Sequence, residues 1–296
     1  MSDTTASLSR KIRSAGDLQS VVRTMKAVAA SSIGQYEKSV RALGDYYRTV
    51  ELGLSACFRE LAPAAPVDGR DRSDDGPIGA IVFGSDQGLV GQFNETLADF
   101  AIKILAGLSG KPHVWAVGER VYERLADAGL PMMGLFPVPN SVKGIAPLVS
   151  QIQIESEGRR AGGDYARVYV FHQRPLAGSL CEPVSQRLLP LDAEWQRDLA
   201  KVTWPTGNLP EVMGTGADTL RALIREYLFI SLFRACAESL ASENASRLAA
   251  MDRAERNIDE LSEELNRRFH RLRQSSIDEE LFDVISGFEA LSKPAR

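Results

Sequence analysis

Ala217 to Ser286 reads ADTLRALIREYLFISLFRACAESLASENASRLAAMDRAERNIDELSEELNRRFHRLRQSSIDEELFDVIS, seventy residues without a proline or a glycine. Proline costs roughly 3 kcal/mol and glycine about 1 kcal/mol inside a helix. A stretch lacking both over this length predicts one continuous rod, about 100 Å long at 1.5 Å per residue. None of the 14 prolines lies before Pro63, and none lies between Pro210 and Pro294. Leu8 to Leu61 therefore predicts a second, shorter rod, of roughly 80 Å. Long helices at both termini with everything compact between them describe a shaft, and a shaft does mechanical or assembly work.

Both rods carry an apolar stripe. In the first, Met25, Ala29, Ser32, Tyr36, Ser39, Leu43, Tyr46, Val50, Gly53 and Cys57 alternate spacings of four and three. Val22, Ile33, Val40, Tyr47 and Leu54 widen that 3.5-residue period. The seam is rich in small residues, which allow close and slidable packing. The last rod repeats the pattern through Leu248, Met251, Ala254, Ile258, Leu261, Leu265, Arg268 and Leu272, with Phe269 beside the polar interruption. An amphipathic helix gains most of its stability from burial against a partner, and each rod is the nearest partner of the other. We therefore expect an antiparallel coiled coil with the middle segment at one end. The last rod is about 16 residues the longer, so roughly 24 Å of it, including Leu281, Phe282, Val284 and Ile285, is expected to project as an interaction surface.

Charge divides between the rods. Residues 1–61 hold nine Lys/Arg against six Asp/Glu, and residues 217–286 hold ten against fourteen. Opposite signs favour side-by-side pairing; solvated faces are the plainer alternative. With a net charge of −4 there is no whole-chain basic signature for nucleic acid. Cys57, Cys181 and Cys236 are widely spaced and form no CxxC pair, so they read as small apolar residues in a reducing compartment. The N-terminus lacks the apolar core of a secretory signal, and no run approaches the 18 apolar residues of a membrane span. Membrane association is expected only through a partner.

Between the rods the period changes. Residues 62–77, around PAAPVDGRDRSDDGP, read as a linker. Ile78–Phe83, His113–Val117, Met132–Val138, Ala166–His172 and Gln186–Leu191 read as strands, and Phe93–Leu108, Glu119–Ala128 and Ile145–Glu157 as helices. This alternation predicts a three-layer α/β domain over 78–192 with a largely parallel sheet. Residues 193–216 read as a second linker. The domain order is then a helix over 1–61, the α/β domain, and a helix over 217–296.

The search for chemistry returns little. Gly84 to Asn94 (GSDQGLVGQFN) is a glycine-rich corner between a strand and a helix, where phosphates often bind. It has neither GxGxxG spacing nor a Walker lysine, and no basic residue falls between Gly84 and Lys103, so a structural corner is the better reading. His113, His172 and His270 lie in separate elements, and no metal site or cofactor is expected. There is no G-x-S-x-G elbow. Arg267, Arg268, Arg271 and Arg273 form the densest basic stretch. They read as a solvated face balanced by Glu263 and Glu264, or else as a contact for an acidic protein partner; without interleaved aromatics or a wider basic field, nucleic acid is a poor third.

Four segments carry a family likeness. RSAGDLQSVVRTMKAVAAS (13–31), SDQGLVGQFN (85–94), SENASRLAAM (242–251) and RQSSIDEELFDVISG (273–287) resemble, in order and across nearly the whole chain, the gamma subunit of F-type ATP synthases. The resemblance implies an antiparallel coiled coil of the N- and C-terminal helices with a central Rossmann-like α/β domain. It also implies a rotor with no catalytic residue of its own. The coiled coil would sit within the ring of alpha and beta subunits, and the α/β domain, with epsilon, would rest on the membrane ring of c subunits. By the same resemblance Met25 stands near the catalytic subunit's acidic lever, and Arg247, Arg273 and Gln274 serve coupling and ring contact. The family usually has Arg at Gln87, Cys at Val90, Gly at Gln92 and Thr at Asp278. Asp278 brings a charge to that contact, and the departures together point to a divergent, alternate bacterial branch. The paired cysteines of the light-regulated plant type are missing. Two other readings remain: a small-molecule-binding α/β domain with helical dimerisation arms, which would bind its ligand without other subunits, and a coiled-coil scaffold, which would self-associate.

Overall fold

The computed structural model describes residues 4–60, 76–162, 167–176, 181–191, 193–208, 210–212 and 216–292. The first rod is α1 (Thr5–Glu60), and the last is α6 (Gly216–Ser292). Between them run β1 (Ile78–Phe83), α2 (Phe93–Ala106), β2 (Pro112–Val117), α3 (Glu119–Asp127), β3 (Met132–Phe136), α4 (Val142–Gly162), β4 (Arg167–Pro175), β5 (Cys181–Leu189) and α5 (Ala193–Ala200). By packing, the chain divides into two units. One comprises residues 1–28 with 250–296, and the other residues 29–249.

The second unit is built on a five-stranded sheet in the order β3-β2-β1-β4-β5. The first three pairings are parallel and β4 runs antiparallel to β5. All six residues of β1 are buried, as befits a central strand covered on both faces. Alternation sorts its side chains. Ile78, Ala80 and Val82 join Leu97, Ala101, Val121 and Leu125 of α2 and α3 in one core. Ile81 and Phe83 face the other way, onto Ile145, Val149 and Ile152 of α4 and Leu232, Cys236 and Leu240 of α6. Tyr36 of α1 completes that second core. The result is the three-layer arrangement that the alternating pattern predicts.

Residues 236–245 of α6 are buried on every side, although Ala, Ser and Glu dominate them. Small side chains let the helix approach the sheet closely. Its serines are satisfied by strand carbonyls: Ser239 Oγ donates to the Phe83 oxygen at 2.8 Å and Ser242 Oγ to the Gln173 oxygen at 3.1 Å.

The segments expected as linkers fare differently. Most of 62–77 lies outside the described residues. Within 193–216 the first eight residues form α5, a departure from the linker reading. Trp195 and Leu199, four apart, form an apolar stripe, and Leu199 is buried against Val50, Leu54, Leu220 and Ile230. The Trp195 and Tyr227 ring centroids are 4.8 Å apart. Counting prolines and glycines across the whole stretch hides this proline-free beginning. All three cysteines are unbridged, with Cys57 and Cys236 buried and Cys181 half-buried.

Candidate functional site

In the first unit the two rods pair antiparallel. Gln19 donates to Asp259 and Arg23 to Glu255 (2.8 Å), so a step of four along α1 matches a step of four back along α6. Lys26 then reaches Glu255 at 3.2 Å and Asp252 at 2.5 Å. Hydrogen bonds from Arg23 and Lys26 hold the Glu255 carboxyl below the usual carboxylate range. Hydrogen bonding to that carboxylate raises Arg23, and hydrogen bonds to Asp252 and Glu255 raise Lys26. These pairs lie at the surface, with Lys26 and Glu255 half-buried, so they set register more than they add stability. The charge difference between the rods is thus used in pairing.

The apolar seam lies beneath the ion pairs. Leu8, Ala15 and Val22, seven residues apart, are buried on α1, and Met251 and Leu265 are buried on α6. The expected seam needs three corrections. Leu261 and Arg268 are exposed, and the neighbouring Ser262 and Phe269 are half-buried in their places. In the second unit, Tyr46 is exposed and bonds Glu226 at 2.8 Å, while Tyr47 turns inward. A helix of 3.6 residues per turn drifts across a strict 3.5-residue count.

Carried back from Gln19 to Thr5, where α1 begins, the register ends opposite Arg273. α6 continues to Ser292, about 28 Å further at 1.5 Å per residue. Every side chain from Arg273 to Phe288 is exposed. Among them are Ile277, Leu281, Phe282, Val284 and Ile285, with Phe282 69% and Val284 70% accessible. This is the projecting apolar end that the difference in rod length predicts. A second exposed apolar row, Leu18, Val21 and Val28, marks α1 away from the seam. Contiguous apolar surface of this kind marks a protein interface.

Within this unit, Arg273, Gln274 and Asp278 fall together at the start of the projecting end. Met25 is half-buried on α1, far back along the rod. Arg247 belongs to the second unit. Its guanidinium meets Glu243, one turn earlier on the same helix, at 2.7 Å with both side chains largely buried. Burial pushes the Glu243 carboxyl up, and Arg247 only partly offsets this. A partner carboxylate reaching Arg247 would have to compete with Glu243. Of the dense basic stretch, Arg268 pairs with Glu264 in the expected i,i+4 manner, and all four arginines are exposed.

The glycine-rich corner is closed by its own side chains. Asp86 accepts hydrogen bonds from the backbone N–H of Glu119 (3.0 Å), the first residue of α3, and of Val138 (2.9 Å). A carboxylate therefore occupies the N-terminus of α3, beside the corner, whereas α2, which follows the corner, starts after Gln92 without a side-chain cap. Asn94 brackets Ser85, its Oδ1 accepting from the Ser85 backbone N–H at 3.0 Å and its Nδ2 donating to Oγ at 2.8 Å. Gly118, at φ 109°, leaves no room for a side chain, because a Cβ there would lie 2.7 Å from the Ser85 backbone. No cluster of metal-ligating side chains occurs among the described residues.

One buried group escaped the sequence reading. His172 Nε2 lies 2.9 Å from Glu238, and Glu238 also accepts from Arg234 Nε at 2.7 Å. No motif announces a pair so far apart in the chain.

A family model described as ATP synthase matches residues 4–291. Among curated relatives, the ATP synthase gamma chain of Salinibacter ruber is 31% identical, the match covering 96% of each chain. That of Nitrosomonas eutropha is 27% identical, over 95% of this chain and 97% of the other. Among solved structures, one from a cryo-electron microscopy study of the Euglena gracilis mitochondrial ATP synthase rotor superposes with a TM-score of 0.61. It is 14% identical and covers 92% of this chain and 98% of its own; at that identity the likeness speaks to fold.

Proposed function

The chain belongs to the ATP synthase gamma-chain family, and from that premise we propose that it is the central-stalk rotor subunit of an F-type ATP synthase. In this role it carries torque between a membrane ring of c subunits and a catalytic ring of alpha and beta subunits, coupling ion passage to ATP synthesis or hydrolysis. The observation that carries the reading is the antiparallel register, which leaves α6 to outlast α1 by an apolar, fully exposed end. A helix that presents Phe282 and Val284 to solvent is built to be enclosed.

The chain itself is non-catalytic in this reading. The glycine-rich corner has no phosphate fingerprint and no basic residue between Gly84 and Lys103, which supports a role in moving other subunits' sites rather than supplying one. Arg273, Gln274 and Asp278 contact the catalytic ring where the projecting end begins, and Met25 faces the ring further along. Arginine and glutamine there suit charge-assisted hydrogen bonds to carboxylates. The α/β domain takes epsilon and the c-ring as partners. None of the described helices is long and apolar enough to cross a membrane; in this reading the chain attaches to the cytoplasmic face of a bacterial plasma membrane through the complex. Co-purification tests the reading: a tagged chain is expected to recover alpha, beta and epsilon homologues. Recovery as a lone, stable monomer under conditions that preserve the complex contradicts it.

A further inference from the structure

In an open α/β sheet, ligands settle beyond the carboxyl ends of the strands, in the crevice where strand order reverses. Here that point falls between β1 and β4, with β2 and β3 on one side and β5 on the other. Pairing between β1 and β4 stops at Val82 and Phe171. Beyond it, α6 takes the free carbonyls of both strands. Ser239 Oγ donates to the Phe83 oxygen at 2.8 Å, and Ser242 Oγ to the Gln173 oxygen at 3.1 Å. Glu238 Oε2 lies 2.9 Å from His172 Nε2 of β4. Ala237, Ala241 and Ser242 are buried in the same run. The chain's own helix therefore fills the crevice, and its small side chains admit it.

Filling alone needs no hydroxyls. Burial of apolar surface is non-directional, whereas a hydrogen bond weakens steeply off its line. Ser242 lies three residues beyond Ser239 and four beyond Glu238, so all three share one face of α6. They reach two different strands, and turning α6 about its axis breaks their ties together. We propose that this crevice is the socket through which torque passes between the α/β domain and α6, with Ser239 and Ser242 as positioning residues that fix the rotational setting of the helix. The inference rests on the rotor reading, and its contacts lie wholly within the second unit.

The test uses the assembled complex, with its alpha and beta ring immobilised and a probe fixed at Glu123, an exposed position on α3. With catalysis paused, the thermal swing of the probe reports the torsional stiffness between the ring and the α/β domain. Ser239→Ala with Ser242→Ala keeps the small side chains and is expected to widen the variance of that swing about twofold. Val114→Ala opens a cavity in the core on the sheet face away from α6, and is expected to lower stability while leaving the variance at the wild-type value. Hydrogen exchange on the isolated wild-type chain needs no variant: the backbone amides of 237–244 are expected to open only together with those of β1 and β4. Unchanged variance in the double variant, equal widening in Val114→Ala, or amides of 237–244 opening ahead of both strands would each overturn the socket. A wild-type probe that never turns under ATP would instead remove the rotor reading, and the socket's mechanical role with it.

Discussion

Glu238 is the residue whose chemistry is most changed by folding. Burial pushes its carboxyl up, but hydrogen bonds from His172 and Arg234 outweigh this and bring it down to about 2 from an ordinary 4.5. Because the folded value is the lower one, the stabilisation is complete above the ordinary carboxylate range. It is lost as pH falls from about 5 toward 2, where the unfolded chain takes up a proton before the folded chain does. Glu243 has the opposite sign: its carboxyl is raised, so ionising it near neutral pH opposes folding. Glu238→Gln is expected to lower stability at pH 7 and to flatten its decline between pH 5 and 3, as read by urea unfolding at each pH; an unchanged acid profile would show that the carboxylate is not held as described. Asp86→Ala removes the acceptor of two backbone N–H groups and is expected to reduce unfolding free energy by about 2 kcal/mol. A loss below about 0.5 kcal/mol would mean that solvent replaces it at the N-terminus of α3.

At the scale of elements, the exposed end of α6 separates folding from assembly. Phe282 and Val284 are mostly exposed in the free chain, so Phe282→Ser with Val284→Ser is expected to leave the thermal midpoint within about 1 °C while weakening recovery of partner subunits. A large fall in the midpoint would show that the end is packed. Arg273→Ala with Gln274→Ala is expected to weaken ring assembly or coupling with the α/β domain intact; unchanged ATP-driven ion pumping would remove both positions from the interface. The rods and the existence of five strands were legible from proline placement and periodicity, because those signals are local, although β5 begins at Cys181 rather than at Gln186. What was not legible depends on partners that lie distant in sequence. The burial of the small-residue run at 236–245 depends on the sheet packed against it, whose carbonyls satisfy Ser239 and Ser242. Tyr47 replaces Tyr46, and Phe269 replaces Arg268, because a helix of 3.6 residues per turn drifts across a strict 3.5-residue count. α5 was obscured by the prolines and glycines that follow it. At the candidate site the projecting end followed from a length difference, whereas the His172–Glu238 pair joins residues without any shared motif.

For the whole molecule, the account rests on one chain that other subunits grip and turn. Its two continuous helices carry no proline or interior break over 56 and 77 residues, which makes each a stiff element. Its glycine-rich corner is closed, and its exposed apolar surface is concentrated on the rods' unit. Met25→Lys places a charge on a half-buried position beside the exposed row and is expected to lower the ATP yield per ion translocated; a wild-type yield would show that this face is not gripped. The central claim is mechanical, and the direct test is to watch the chain move. With the alpha and beta ring immobilised and a visible probe fixed to this chain, ATP hydrolysis is expected to turn the probe continuously in one direction. Sustained hydrolysis by the same assembly with the probe stationary would contradict the account.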